Sequence, residues 1–291
     1  MGGLTKFNNK LELEPNLAES WAVDKENKTI TIKIKDGINW SDGQKLSSQD
    51  FLDSWERLLN PRTAADYAYF LYDIKNAKEY NLGTIDDFAL VGVKAPNDNT
   101  ILINLVENKS YFMSLLSFMS TFPIRKGKIN EYKEKWIHPT NIVTLGKYRL
   151  TKWESHNHIL LTPKDKDLHS ILLLMNSNPS SSLAMFENGK VDILDGGGIP
   201  LLEIPYLKSK KILNYESQFR NNYVGFNVKK FPFNNRKIRE AFSLSVNKSA
   251  FEKVLYNTVI QTESWIPPGL IGSIHKNKPR FDKEQANKIL D

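Results

Sequence analysis

Residues 29–61 read TITIKIKDGINWSDGQKLSSQDFLDSWERLLNP, and the change of period inside this stretch decides the fold class. From Thr29 to Lys35 apolar and polar residues alternate strictly, which puts Ile30, Ile32 and Ile34 on one face of a strand. Asp36-Gly37 then supplies turn chemistry. Ser47 is followed three residues later by Asp50, the signature of a capped helix start. Phe51, Leu52, Trp55, Leu58 and Leu59 follow at helical spacing, and Pro61 closes the run. A one-sided strand feeding a one-sided helix predicts that Ile30, Ile32, Ile34, Phe51, Leu52 and Trp55 share one core in an N-terminal α/β lobe.

Moving outward, apolar segments at Ala89 to Lys94 and Thr100 to Leu105 flank Pro96-Asn97-Asp98-Asn99, which suits a hairpin connection. A third strand pair is expected at Tyr148 to Trp153 and Ile159 to Thr162. Asn178-Pro179 opens a helix through Leu183 and Phe186, with Gly189 placed to end it before a strand from Val191 to Leu194. Ile238, Ala241, Phe242 and Ser245 mark a further helix, and Phe251, Val254 and Leu255 another. The order is mixed α/β without internal repeats.

With 291 residues, 40% of them apolar, the chain can bury a large core and divide into lobes. The 40 Lys and Arg against 33 Asp and Glu give +7, but the basic residues are scattered, as at Lys33, Lys126 and Lys208. That pattern describes a solvated surface better than a nucleic-acid or anionic-membrane patch. No run approaches the ~18 apolar residues of a membrane span. The start lacks the apolar segment and cleavage site of a signal peptide. With zero cysteines, disulfides and thiol chemistry are excluded.

The motifs that carry catalysis are weak. His156 and His158 sit in a turn or strand end without a third ligand, so no metal is expected. Gly196-Gly197-Gly198 lacks the Lys-Ser/Thr pair of a phosphate loop and reads as a flexible connector. Ser245-Val246-Asn247-Lys248 matches Ser-x-x-Lys, the pattern of serine acyl-enzymes, but no Lys-Thr-Gly element accompanies it. Asn247 fits better as the cap of the next helix. Neither an enzyme nor a bound cofactor is expected.

Several longer segments occur in a fixed order: Pro15-Asn16-Leu17-Ala18-Glu19-Ser20-Trp21, then Trp40-Ser41-Asp42-Gly43, then Asp50-Phe51 through Ser54-Trp55 and Arg57 to Pro61. Val91-Gly92-Val93-Lys94-Ala95, Asn141-Ile142-Val143-Thr144, Glu187-Asn188-Gly189-Lys190-Val191-Asp192, Gly225-Phe226-Asn227, Arg239-Glu240-Ala241-Phe242 and Pro267-Pro268-Gly269 continue it. Together they resemble family 5 of the bacterial extracellular solute-binding proteins, and most closely its oligopeptide binders.

The resemblance implies a periplasmic-binding-protein-like two-lobed α/β fold with an extra small domain and an incomplete C-terminal lobe. The implied boundaries are 1–125 for the small additional α/β domain, 126–220 for part of the first ligand-binding lobe and 221–291 for the start of the second. Such a protein closes on an extended peptide, held mainly through its backbone, and passes it to the membrane permease subunits of an ABC importer. The expected partners are thus oligopeptides and permease, with the protein a monomer in the periplasm or on the outer face of the cytoplasmic membrane. Motif by motif, Tyr67, Asn221 and Tyr223 correspond to ligand neighbours and Phe118 to a side-chain pocket; Tyr67 is also readable as packing beside Tyr69, Phe70 and Tyr72. Trp21, Trp40 and Trp55 are expected in the core rather than at the ligand.

Family members carry a leader and a further strand before the equivalent of Gly2-Gly3-Leu4, and much of a second lobe beyond Asp291. Lys164 to Ser170 also lacks the family's "NPxYW" element. The chain is therefore expected to be truncated at both ends and, alone, to bind peptides weakly or to be a non-binding fragment.

Overall fold

The structure, a computed structural model, describes residues 2–216, 218–262, 264–268, 270, 272–274 and 281–291. The chain divides into two units, Met1–Met175 and Asn176–Asp291. Gly269 of the Pro-Pro-Gly turn lies outside the described residues.

The first unit opens with a short hairpin of β1 (Thr5–Phe7) and β2 (Leu13–Pro15). A four-stranded antiparallel sheet follows, in the order β3 (Ala18–Asp24), β4 (Thr29–Ile34), β6 (Thr100–Asn104), β5 (Val93–Asn97). Ile30 and Ile32 of β4 stand opposite Ile103 and Ile101 of β6, so the period-two face seen in the sequence is matched across the ladder. Helix α1 (Ser48–Leu59) packs on β5. Ile30, Ile32, Ile34, Phe51, Leu52 and Trp55 all belong to one buried cluster with Trp40, Leu59, Leu71 and Phe112, as the change of period predicts. Three short helices, α2 (Ala77–Asn81), α3 (Phe112–Leu115) and α4 (Lys126–Tyr132), complete this part.

A second antiparallel sheet, β7 (Tyr148–Glu154), β8 (His158–Pro163) and β9 (Ile171–Leu174), ends the unit. The hairpin of β7 and β8 is the third expected strand pair. β9 pairs with β8 alone among the described strands, and all four of its residues are exposed.

The second unit contains α5 (Pro179–Glu187), α6 (Ile204–Ser209), α7 (Arg236–Ser245), α8 (Lys248–Val254) and α9 (Lys283–Leu290). Asn178 Oδ1 accepts the Ser181 N–H, and Gly189 follows the helix at φ +66°, so both ends of α5 carry the expected cap chemistry. Its buried apolar cluster is small, comprising Ala241, Leu244 and Ala286 with Ile289 packed on it.

Three local expectations differ from the structure. The strand expected from Ala89 begins later, because the Asp87 carboxylate accepts the Ala89 N–H and starts a 3₁₀ turn over Phe88–Leu90; the strand is Val93–Asn97. Val191 to Leu194 is not a strand, and Ile193 is almost fully exposed. Gly196–Gly198, read from the sequence as a connector, takes the shape of a 3₁₀ turn, with Asp195 Oδ1 accepting the Gly198 N–H at 3.0 Å.

Candidate functional site

Helix α1 organises the surface where two of the four candidate ligand residues meet. At its start the Asp50 carboxylate accepts the Ser47 N–H at 2.9 Å and the Trp40 indole N–H at 3.2 Å, and pairs with Arg125 at 3.3 Å. At its end, Asn60 Oδ1 accepts the Arg62 N–H and Ala64 turns through the left-handed region at φ 49°. The chain then forms a 3₁₀ turn over Ala68–Leu71, which buries Ala68 and Leu71 and leaves Tyr67 and Tyr69 about half exposed.

Phe118 comes to this turn from the far side of the sequence. Its ring lies 4.9 Å from that of Tyr67, edge to face, and 4.8 Å from that of Phe70. Tyr67 and Phe70 are 5.4 Å apart and Tyr69 and Phe70 4.9 Å, so four rings form one partly exposed aromatic platform. Such rings offer broad apolar faces, and tyrosine adds a hydroxyl. Tyr67 packs on these neighbours and leaves about half of its surface to solvent. Tyr69 is exposed, and Tyr72 packs against the core.

The Phe118 turn is tied to α1 at successive points. Ser54 Oγ donates to the Phe122 carbonyl at 2.6 Å, and the Trp55 indole N–H to the Thr121 carbonyl at 2.9 Å. Lys126 Nζ reaches Glu56 at 2.7 Å and Asp53 at 3.5 Å. The Glu56 hydrogen bond, with the Asp53 and Glu56 charges, holds the Lys126 ammonium above its ordinary pKa, against an opposing effect of burial. The hydroxyl of Ser120 in the same turn is buried without a partner among the described residues.

Trp40-Ser41-Asp42-Gly43 has a structural use at every position. Trp40 is buried, Asp42 pairs with Arg125 at 3.5 Å, and Gly43 sits at φ +85°. Ser41 and Thr144 exchange two bonds: the Ser41 N–H donates to the Thr144 carbonyl at 2.9 Å, and the Thr144 N–H to Ser41 Oγ at 3.0 Å. Trp40 and Trp55 are therefore core residues, as expected, and Trp21 is half-buried against that core.

Asn221 and Tyr223 belong to the second unit. Asn221 Nδ2 donates to the carbonyls of Ser264 at 2.8 Å and Trp265 at 2.7 Å, so its amide is engaged in holding that loop. Tyr223 is 69% exposed and its ring lies 4.8 Å from the equally open Trp265.

Among the described residues no group of three or more His, Asp or Glu is placed to hold a metal. His158 Nδ1 lies 3.5 Å from Glu154, and His156 occupies a left-handed turn position. Ser245 Oγ donates to the Phe242 carbonyl and Lys248 Nζ to that of Thr262, so the two ends of the Ser-x-x-Lys pattern are engaged with different main-chain groups. Asn247 is the N-cap of α8, with Oδ1 accepting from the Ser249 hydroxyl.

The mixed α/β fold is periplasmic-binding-protein-like. The murein tripeptide binding protein MppA of Escherichia coli superposes with a TM-score of 0.87 at 25% identity, covering 100% of this chain and 60% of that one. The Haemophilus influenzae OppA in complex with RPPGFSPFR gives 0.80 at 25% identity, covering 99% and 59%. In sequence, the chain is 32% identical over 302 residues to the oligopeptide-binding protein OppA of Bacillus subtilis, and 31% over 280 residues to the dipeptide-binding protein DppE of the same organism. These alignments cover 98% and 92% of this chain, and 54% and 50% of the relatives; the chain spans about half the length of the curated relatives it matches. Residues 12–291 match the family described as bacterial extracellular solute-binding proteins, family 5 Middle, and the chain belongs to that family. It is a family of solute-binding proteins, and no described helix is long and apolar enough to cross a membrane.

Proposed function

We propose that this chain serves as, or within, the substrate-binding subunit of an ABC-type oligopeptide importer, holding extended peptides for delivery to the membrane permease. The observation that carries the reading is the solvent-facing contact of Tyr67 with Phe118, two residues far apart in sequence that the family resemblance assigns to the ligand. Peptide backbones satisfy their own polar groups by strand-like hydrogen bonding, while an aromatic platform accepts varied side chains on apolar faces. Relatives described as binding oligopeptides and dipeptides support the same substrate class. In functional terms residues 1–125 are the small additional domain, 126–220 part of the first ligand-binding lobe and 221–291 the start of the second. Tyr223 and Asn221, in the last of these, are ligand neighbours by the same family resemblance. The protein acts as a monomer outside the cytoplasmic membrane, with no nucleic-acid partner, no cofactor and no acyl-transfer chemistry at Ser245.

Nuclear magnetic resonance titration of residues 1–291 with tri- to pentapeptides tests this, because it reads millimolar as well as tighter binding. Saturable shifts of the Tyr67 and Phe118 ring signals, weakened in Tyr67→Ala, are expected. Ring signals unmoved by millimolar peptide would leave the other reading, a folded chain that does not bind peptide.

A further inference from the structure

Thr121 is almost fully buried, yet every hydrogen-bonding group it has is in use. Its N–H donates to the Phe118 carbonyl at 3.0 Å, and its hydroxyl donates to that carbonyl at 2.8 Å, with the Leu115 carbonyl as a longer second acceptor at 3.4 Å. Its own carbonyl accepts the Trp55 indole N–H at 2.9 Å. The Phe118 carbonyl thus receives two donors from one residue, and that residue is fastened to a helix side chain 66 positions away. A Thr121 side chain needed only to fill space would be matched by valine, which has the same shape and no donor.

We infer that Thr121 is a positioning residue for the ligand surface: clamped by Trp55, it fixes the turn that sets the Phe118 ring against Tyr67. This rests on the reading of Tyr67 and Phe118 as peptide contacts. Helix α1 serves both halves of the platform, because the turn carrying Tyr67 follows directly from its C-terminus and the turn carrying Phe118 hangs from Ser54 and Trp55. The edge-to-face geometry of the two rings therefore depends on one hydroxyl that touches neither of them. A short range of ring positions narrows which side chains the platform accepts, so Thr121 acts on peptide preference through Phe118.

The test compares Thr121→Val, which removes the hydroxyl at constant shape, with Thr121→Ser, which keeps it. The through-space contact between the Tyr67 and Phe118 rings is followed by nuclear magnetic resonance, alongside titration with tripeptides bearing an aromatic or an aliphatic side chain. Thr121→Val is expected to weaken or lose the ring contact and to bind aromatic tripeptides roughly three- to tenfold more weakly, the effect of one hydrogen bond. Thr121→Ser should restore both. An intact ring contact in Thr121→Val, equal losses in the two variants, or a lost ring contact with unchanged peptide affinity would each overturn the inference. Should the parent chain bind no peptide, the proposed function fails, while the ring contact in the two variants still decides whether Thr121 positions Phe118. Should Thr121→Val not fold, Trp55→Phe, which removes the indole bond to the Thr121 carbonyl, is expected to move the same ring signals, and unmoved signals would count against the clamp.

Discussion

Trp55 makes two separable contributions: a fully buried indole in the core of the first unit, and one N–H that holds the Thr121 carbonyl. Trp55→Ala should cost about 3–5 kcal/mol in the unfolding of the first unit, the usual range for emptying a large aromatic site. Urea denaturation followed by far-ultraviolet circular dichroism measures it, and a loss below about 1 kcal/mol would mean that the core refills around the cavity. The burial was legible from the sequence, since Trp55 lies on the stripe with Phe51, Leu52 and Leu59. Its polar partner was not, because nothing in a local pattern connects Trp55 to a carbonyl 66 residues away. The same limit applies to the candidate site: Tyr67 and Phe118 were reachable as ligand residues only through the family resemblance, Tyr69 and Phe70 only as packing beside Tyr67, and Thr121 through neither route.

At the scale of elements, α1 was well specified because its signals are local: the Ser47 cap, the acid at Asp50, the apolar stripe and the stop at Pro61 all lie within one stretch. β5 and residues 191–194 were less so, since a strand needs a partner and apolar content alone does not supply one. What the element patterns leave out is the acidic face of α1, where Asp50, Asp53 and Glu56 receive Arg125 and Lys126. The folded pKa of Lys126 is raised, chiefly by its hydrogen bond to Glu56. Its contribution to stability is thus fully present below the ordinary lysine pKa of about 10.4 and is lost as pH rises through the higher folded value. The melting-temperature difference between the parent and Lys126→Met should therefore be constant from about pH 7, where the partner carboxylates are ionised, to about pH 9 and shrink above about pH 10.5. A difference that stays flat across that range would mean that the ammonium adds nothing beyond its alkyl stem.

Over the whole molecule the two units are unequally equipped to stay folded. The first buries a continuous cluster from Leu4 to Val143; the second buries Ala241, Leu244 and Ala286 beside Leu183 and Leu207, and leaves Leu202, Val224, Phe231 and Trp265 at least three-quarters or nearly so in solvent. Amide hydrogen exchange should show strong protection in α1, β4 and β6 and rapid exchange through most of residues 176–291, with heat unfolding that is not a single two-state transition. Equal protection in both units would contradict this. The exposed apolar surface should also bind hydrophobic dyes and promote self-association at high concentration. The exchange of hydrogen bonds between Ser41 and Thr144 has a consequence for the speed of these events. It closes a loop of 103 residues, so the entropic cost of forming it falls late in folding, after the local β3–β4 hairpin and then the long-range pairing of β4 with β6 have shortened the path. Ser41→Ala should then accelerate unfolding several-fold while leaving the refolding rate of the first unit unchanged, making this serine a brake on the exit from the native state rather than a guide into it.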